Sequence, residues 1–247
     1  MQFGLQTFTV RELLTPEALN GTFGKIAGMG IKNLELAVDY LPMPFTLAAA
    51  QTVRAAADQH GLQIRSCQIK YPTSSRDIPL TIAYMQELGA QILTNSVIDL
   101  KLLALGRPGL RRYCGMLDSL KDQLAPADIA LVHHNHHFEF KRVGGQVALL
   151  FMAGHSSVGF ALDTYWTRRA GGDIPALLEA LEGRVLLMHL RDFAGKADCE
   201  IGRGDINFAD VLRTAEAVGV QYGMIEQKTK TPIESVEISL QGVYHAI

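Results

Sequence analysis

The sequence predicts an α/β chain whose strands close into a single (β/α)8 barrel. Three observations carry this. Eight short apolar runs alternate with longer amphipathic segments along 247 residues, and no Pro/Ser-rich linker or shift in composition divides them. Buried parallel strands read as short apolar runs, and strands separated by helices require right-handed crossovers within one parallel sheet. Eight such units in this length suit a closed barrel, which commonly takes about 250 residues. No GxGxxG follows the first apolar run, which argues against an open dinucleotide-binding sheet. Residues 1–247 are therefore read as one domain.

The elements follow in order. Phe3–Phe8 is the first strand, and Thr15-Pro16-Glu17 signals a helix start, a capping residue followed by Pro. Lys25–Met29 closes that helix against Gly28 and Gly30, and Asn33–Val38 is the second strand, carrying Glu35. The alanine-rich pattern of Thr46–His60 predicts a helix stopped by Gly61. Gln63–Ile69 is strand three, Ile78–Leu88 a helix, Gln91–Val97 strand four, Leu110–Leu124 a helix and Ile129–His134 strand five. Gly145–Met152 reads as helical, Val158–Leu162 as strand six, Ile174–Leu181 as a helix and Val185–Leu190 as strand seven. Phe208–Val218 is a helix, Tyr222–Glu226 strand eight, and the tail from Pro232 a last helix.

Composition narrows the function. The chain is 48% hydrophobic and 19% charged with a net charge of −2, an ordinary soluble balance, and it has no Lys/Arg cluster. Nucleic acid and anionic membrane are thus not expected as partners. Cys67, Cys114 and Cys199 are odd in number and lack metal-type spacing, which suits free thiols in a reducing compartment. The first residues lack a basic stretch followed by an apolar one, and no apolar run reaches membrane length, so a cytoplasmic location is expected. The Leu-rich segment Leu100–Leu105 is a candidate contact for a homo-oligomer.

Chemistry concentrates at Leu131–Phe140, where four of the eight histidines fall: His133, His134, His136 and His137. Strand alternation sends His134 and His136 to one face and His133 and His137 to the other. A lone histidine there is best read as a polar strand end; four in five residues, with Glu139 beside them, point to a site. Other polar residues also interrupt the strands: Glu35 on strand two, and Asp163, His189 and Glu226 at the ends of strands six, seven and eight. In a barrel those ends converge on one face, where active sites are built. His134, Asp163, His189 and Glu226 make a mixed imidazole and carboxylate set suited to one divalent ion, Mn, Co, Zn, Fe or Mg. Each alone has a plainer reading: a turn residue for Asp163, a satisfied core histidine for His189, a loop carboxylate for Glu226. The joint position is what argues for a metal.

The stretches HHNHHFEF, ALDTYWTRRAGGDI, LLMHLRDF, EIGRGDINF and GMIEQ, together with the tail TPIESVEISL, resemble the sugar phosphate isomerase/epimerase family of the xylose isomerase-like TIM-barrel superfamily. The resemblance runs over essentially the whole chain and implies one metal held by a residue from each of strands five to eight. Those positions are His134, Asp163, His189 and Glu226. It implies a sugar or cyclitol ketone as substrate and proton removal beside its carbonyl, with Glu226, Glu139 and His136 as catalytic candidates. Glu35, Trp166, Arg191 and Phe8 are the candidate substrate contacts.

Three departures qualify the implied activity. His134 stands where the epimerases of the superfamily carry a glutamate, as in related inosose dehydratases and 3-keto-glycoside lyases. Gln68 replaces a histidine common in relatives, and Lys228 replaces the acid of a usual EQD. A divalent-metal-dependent sugar isomerase or epimerase is the expectation, and a sugar hydro-lyase at the same site is its alternative. A non-catalytic sugar-binding barrel and an endonuclease IV-like nuclease are more distant readings, the latter opposed by the acidic pI of 6.4.

Overall fold

The computed structural model describes residues 1–247 and shows a closed, all-parallel, eight-stranded barrel. Its strands are β1 (Gln2–Gln6), β2 (Asn33–Ala37), β3 (Gln63–Ile69), β4 (Ile92–Asn95), β5 (Ala130–His134), β6 (Gly159–Asp163), β7 (Val185–Leu190) and β8 (Tyr222–Ile225). Each pairs with its sequence neighbour, and β1 closes the ring against β8 in the register Gln2↔Tyr222 to Leu5↔Ile225. Main-chain bonding is therefore complete around the ring, which has no edge strand.

Alternation along these strands makes two cores. Outward side chains meet the helices in one continuous apolar cluster that includes Leu5, Leu34, Cys67, Leu93, Leu131, Phe160, Met188 and Ile225. Inside the barrel, Ile92, Val132, Ala161 and Leu187 form a small apolar plug. Two residues further along the same strands, the inward positions are Thr94, His134, Asp163 and His189, all buried. A period of two thus lifts one polar layer above an apolar floor. Gly4 is needed on the inner wall of β1, because a Cβ there would lie 2.4 Å from the Asn33 carbonyl oxygen and 2.6 Å from Met224 Sδ.

Short side chains start the helices where the sequence implied. Thr46, Asp77, Asp173 and Asn207 each accept a main-chain N–H in the first turn of the helix that follows, and Pro79 and Pro175 sit where no N–H partner is required. The chain departs from expectation mainly in the loops above the barrel. Strand one stops at Gln6, whose side chain accepts from Phe8 N, and Thr7–Leu13 winds into a 3₁₀ helix. The first helix starts at Leu19, beyond the Thr-Pro-Glu signal, and the helix expected from Leu110 starts at Gly106. The Gly145–Met152 segment opens as a small hairpin, Arg142–Val143 against Gln146–Val147, because Gly144 and Gly145 both take positive φ; its helix covers Ala148–Ala153. A second hairpin, Asp192–Ala194 against Ala197–Cys199, follows β7 and was not anticipated. The Leu100–Leu105 segment is mostly a short helix, Leu100–Ala104, with Leu102 and Leu103 buried and Leu100 and Leu105 exposed. No helix is long and apolar enough to cross a membrane.

Candidate metal centre

At the C-terminal end of the barrel, His134, Asp163 and His189 each present a ligand atom, and these atoms lie within 4.8 Å of one another. All three residues are buried, and His134 Nδ1, Asp163 Oδ2 and His189 Nδ1 have no hydrogen-bond partner. Buried polar atoms are normally paired; here His134 Nδ1 has no partner, and Asp163 Oδ2 and His189 Nδ1 have only ion-pair neighbours, Arg191 at 3.6 Å and Glu226 at 2.8 Å, so a cation held among the three residues would complete them. Two neutral imidazoles and a carboxylate are a donor set that suits a divalent ion such as Zn²⁺, Mn²⁺ or Co²⁺.

Each donor is aimed by its surroundings. Asp163 ends β6 and caps the helix Thr164–Arg169, where its Oδ1 accepts from Trp166 N at 2.7 Å, which turns Oδ2 inward. Its own N–H donates to Asn135 Oδ1 at 3.0 Å. His189 Nε2 lies 2.5 Å from Glu35 Oε2, and Ser66 Oγ donates to the other oxygen of Glu35 at 2.9 Å. Ser66 Oγ is in turn 2.9 Å from Thr94 Oγ1. A carboxylate behind a ligating histidine fixes its tautomer and leaves the other nitrogen free for the ion. His134 packs its ring against His189, centroids 4.5 Å apart.

Electrostatics separates the two imidazoles. Burial, then the charge on His189, drives the His134 pKa well below its usual value and keeps it neutral, the ligating form. Burial also opposes a proton on His189, but Glu35 and Glu226 on either side raise its pKa to about 10. An ion binding at Nδ1 must displace that proton.

Glu226 lies just past β8 and is not part of the three-donor cluster. Its Oε2 is 2.8 Å from His189 Nδ1 without hydrogen-bond alignment, and its Oε1 accepts from Arg191 Nη1 at 3.2 Å. Burial works against its charge, but Arg191 and His189 outweigh burial and lower its pKa. Asp163 moves the other way: burial raises its pKa, against the pull of Arg191. Arg191 spans the mouth of this layer. It reaches Asp163 at 3.6 Å, Glu226, and Asp198 on the unexpected hairpin, and its guanidinium lies 4.7 Å from the Tyr165 ring centroid.

The other expected site residues divide. His136, Trp166, Arg191 and Phe8 line a cleft of about 460 Å³ that opens above His134 and Glu226. His136 sits in the loop after β5 with its ring 4.8 Å from that of His134 and 5.1 Å from that of Trp166. Burial lowers its pKa to about 4 despite Glu139 and Glu226, and its Nδ1 has no partner. Glu35 does not line the cleft; it stands fully buried behind His189. Glu139 is also turned away. The 3₁₀ turn Phe138–Phe140 points its carboxylate at His133 Nε2, 3.3 Å away, and at His136 N, 2.9 Å away. His133, on the outer face of β5, is also approached by Asn95 and Tyr113. Sequence reasoning missed Asn135, Ser66, Thr94 and Asp198. Asp198 comes from a hairpin without a strong pattern, whereas Ser66 and Thr94 share the inward parity of the polar layer and were accessible by that signal. Asp192 accepts from the N–H groups of Phe193, Gly202, Gly204 and Ile206 and thereby holds the Gly202–Asp205 loop.

The profile of the xylose isomerase-like TIM barrel family matches residues 23–241, and the chain belongs to that family. A sugar phosphate isomerase/epimerase from Parabacteroides distasonis superposes with a TM-score of 0.84 at 20% identity, covering 100% of this chain and 95% of that one. A 3-keto-D-glucoside 4-epimerase from E. coli gives a TM-score of 0.72 at 16% identity, covering 99% of each chain. A probable 3-DHS dehydratase from Bacillus anthracis gives 0.76 at 9% identity, again covering 99% of each. No curated protein sequence matches the chain. At these identities the structural likeness establishes the fold, and the chemistry has to be argued from the site.

Proposed function

We propose that the protein is a divalent-metal-dependent sugar isomerase or epimerase that removes a proton beside the carbonyl of a keto-sugar or polyol-derived ketone. The observation that carries this reading is the convergence of three unpartnered buried donors, on His134, Asp163 and His189, beneath an open cleft. A bound divalent ion supplies Lewis-acid polarisation of a substrate carbonyl. The chain's own residues supply the rest. Glu226, kept ionised by Arg191 and His189, accepts the proton through a carboxylate oxygen. His136, neutral and unpartnered at Nδ1, exchanges a proton at a second position on the substrate. Trp166 and Phe8 offer apolar walls for a sugar ring, and Arg191 both orients Glu226 and offers N–H donors to substrate hydroxyls.

A hydro-lyase reaction at the same site is the second reading, and one observation favours it. Glu139 is engaged by His133 and does not line the cleft, and of the two carboxylates that do, both held by Arg191, only Glu226 lies beside the donor cluster, with Oε2 2.8 Å from His189 Nδ1. Elimination of a β-hydroxyl needs a base and a proton for the departing oxygen. Glu226 takes the proton beside the carbonyl and, once protonated, returns it to the leaving hydroxyl, which departs as water, while neutral His136 hydrogen-bonds that hydroxyl. The test is incubation of the Mn²⁺-supplemented protein with a panel of keto-sugars and inososes in D₂O, followed by NMR. Deuterium entering carbon-bound positions beside the carbonyl supports both reactions; recovery of an isomer or of an enone then separates them. No exchange in any substrate, with metal bound, contradicts the proposal.

A further inference from the structure

The mouth of the cleft carries a charge pattern that neither the metal centre nor a neutral sugar accounts for. Four cationic side chains line it: Lys70, Arg169, Arg191 and Lys228. Arg191 is occupied by Asp163, Asp198 and Glu226. The other three have no carboxylate within 4 Å. They come from separate segments, after β3, at the end of the helix that follows β6, and after β8, so the barrel brings them together from positions far apart in sequence.

Two of these cations are also held in place. Arg169 donates to Tyr165 Oη at 2.8 Å, and its guanidinium carbon lies 5.4 Å from the Trp166 ring centroid. Lys70 has its Nζ 5.4 Å from the Tyr40 ring centroid, and its own N–H is fixed by Asp39. Cations seated on aromatic faces lose less freedom on meeting a ligand. Because the two carboxylates of the cleft, Asp198 and Glu226, are both paired with Arg191, the remaining cations leave an excess of positive charge that concentrates anions. On a chain whose net charge is −2, this rim is a local reversal.

We infer that Lys70, Arg169 and Lys228 form an anion-recognition rim, and that the substrate carries an oxyanionic group, a carboxylate or a phosphate, away from the carbon where the chemistry occurs. The inference rests on the reading of this cleft as a sugar site and adds the charge class of the sugar. Arg169 and the two lysines hold the anion at the mouth, which directs the uncharged part of the molecule down past Trp166 toward His136 and Glu226.

The experiment measures binding to the full chain by calorimetry, with D-gluconate, D-glucose 6-phosphate and D-glucose as probes. At least one anionic probe is expected to bind about tenfold or more tightly than glucose. That margin is expected to shrink as salt rises and to fall severalfold in Lys228→Met and in the triple variant Lys70→Met/Arg169→Met/Lys228→Met. Preference for gluconate assigns the group as a carboxylate; preference for the phosphate ester assigns it as a phosphate. Equal or undetectable binding of all three probes overturns the inference, as does a margin that survives the triple variant. Lys228 is exposed, so its single variant reads the rim without disturbing the fold. Metal content is read on the same preparations. A parent protein that binds no metal counts against the isomerase reading, and a parent that binds metal but shows no anion preference counts against the rim, so the two failures are seen separately.

Discussion

His133 and His134 are adjacent in sequence and almost equally buried, at 0% and 2% exposure, yet they belong to two different kinds of region. Outside β5, His133 sits among Asn95, Tyr113 and Glu139, and both its ring nitrogens have partners. Inside, His134 faces Asp163 and His189, and donor atoms on all three have none. Burial therefore does not distinguish a structural histidine from a candidate ligand here. Hydrogen-bond satisfaction does. A paired buried imidazole holds the wall together, and an unpaired one requires something the chain does not provide.

The comparison breaks most sharply at the inner region. His134→Ala is expected to lower divalent-metal affinity by at least about a hundredfold, because it removes one of three donors and leaves a space the fold tolerates. Chelator competition measures it, and a melting temperature within a few degrees of the parent would show that the loss is local. On the outer region the expectation reverses. Glu139→Ala leaves His133 Nε2 and His136 N without their acceptor in a buried place, and it should cost about 2–3 kcal/mol of stability in urea unfolding. Metal stoichiometry should stay unchanged, since Glu139 faces away from the donors. A Glu139→Ala variant that keeps its stability and loses its metal would erase the distinction.

Glu35 sharpens the contrast, because it supports the inner region from behind, as Glu139 supports the outer one. Glu35→Gln keeps the shape and weakens the hold on His189, so metal affinity should fall about 10–100-fold with the fold intact. Chelator competition reads this too, and a fall no larger than twofold would remove Glu35 from the centre. The smallest effect is expected far from both regions. Asp173→Ala deletes the cap on Ile174–Ala180, at a cost of about 1 kcal/mol in denaturant unfolding and no change in metal affinity.

The sequence was legible where period and position are strongly coupled. Apolar runs mark each barrel strand, and polar residues at the ends of β5, β6 and β7 face one another because parallel strands place their C-terminal ends on one face. Alternation put His133 and His134 on opposite sides of β5, as they stand. It could not settle what lies beyond the strand. His136 and Glu139 belong to a loop whose 3₁₀ turn, not strand parity, decides that one faces the cleft and the other faces His133. Phe8 enters the cleft from a 3₁₀ segment that was expected to be strand, and Glu35 sits one step too deep to reach it. Asp198, which holds Arg191, rides on a hairpin that turns at Gly195 and whose three-residue strands were too short to show a pattern. Loop geometry depends on local turn chemistry and on contacts made late in the chain, such as Gln227 N donating to Thr9 Oγ1.

The most direct test of the central claim is the metal content per chain after incubation with Mn²⁺, Zn²⁺ or Co²⁺ and removal of excess, measured for the parent and for His134→Ala. About one ion per chain in the parent and a near-complete loss in the variant is the predicted result. No bound ion in the parent would contradict the account, as would an unchanged content in the variant, and about three zinc ions per chain would point instead to a nuclease-type centre.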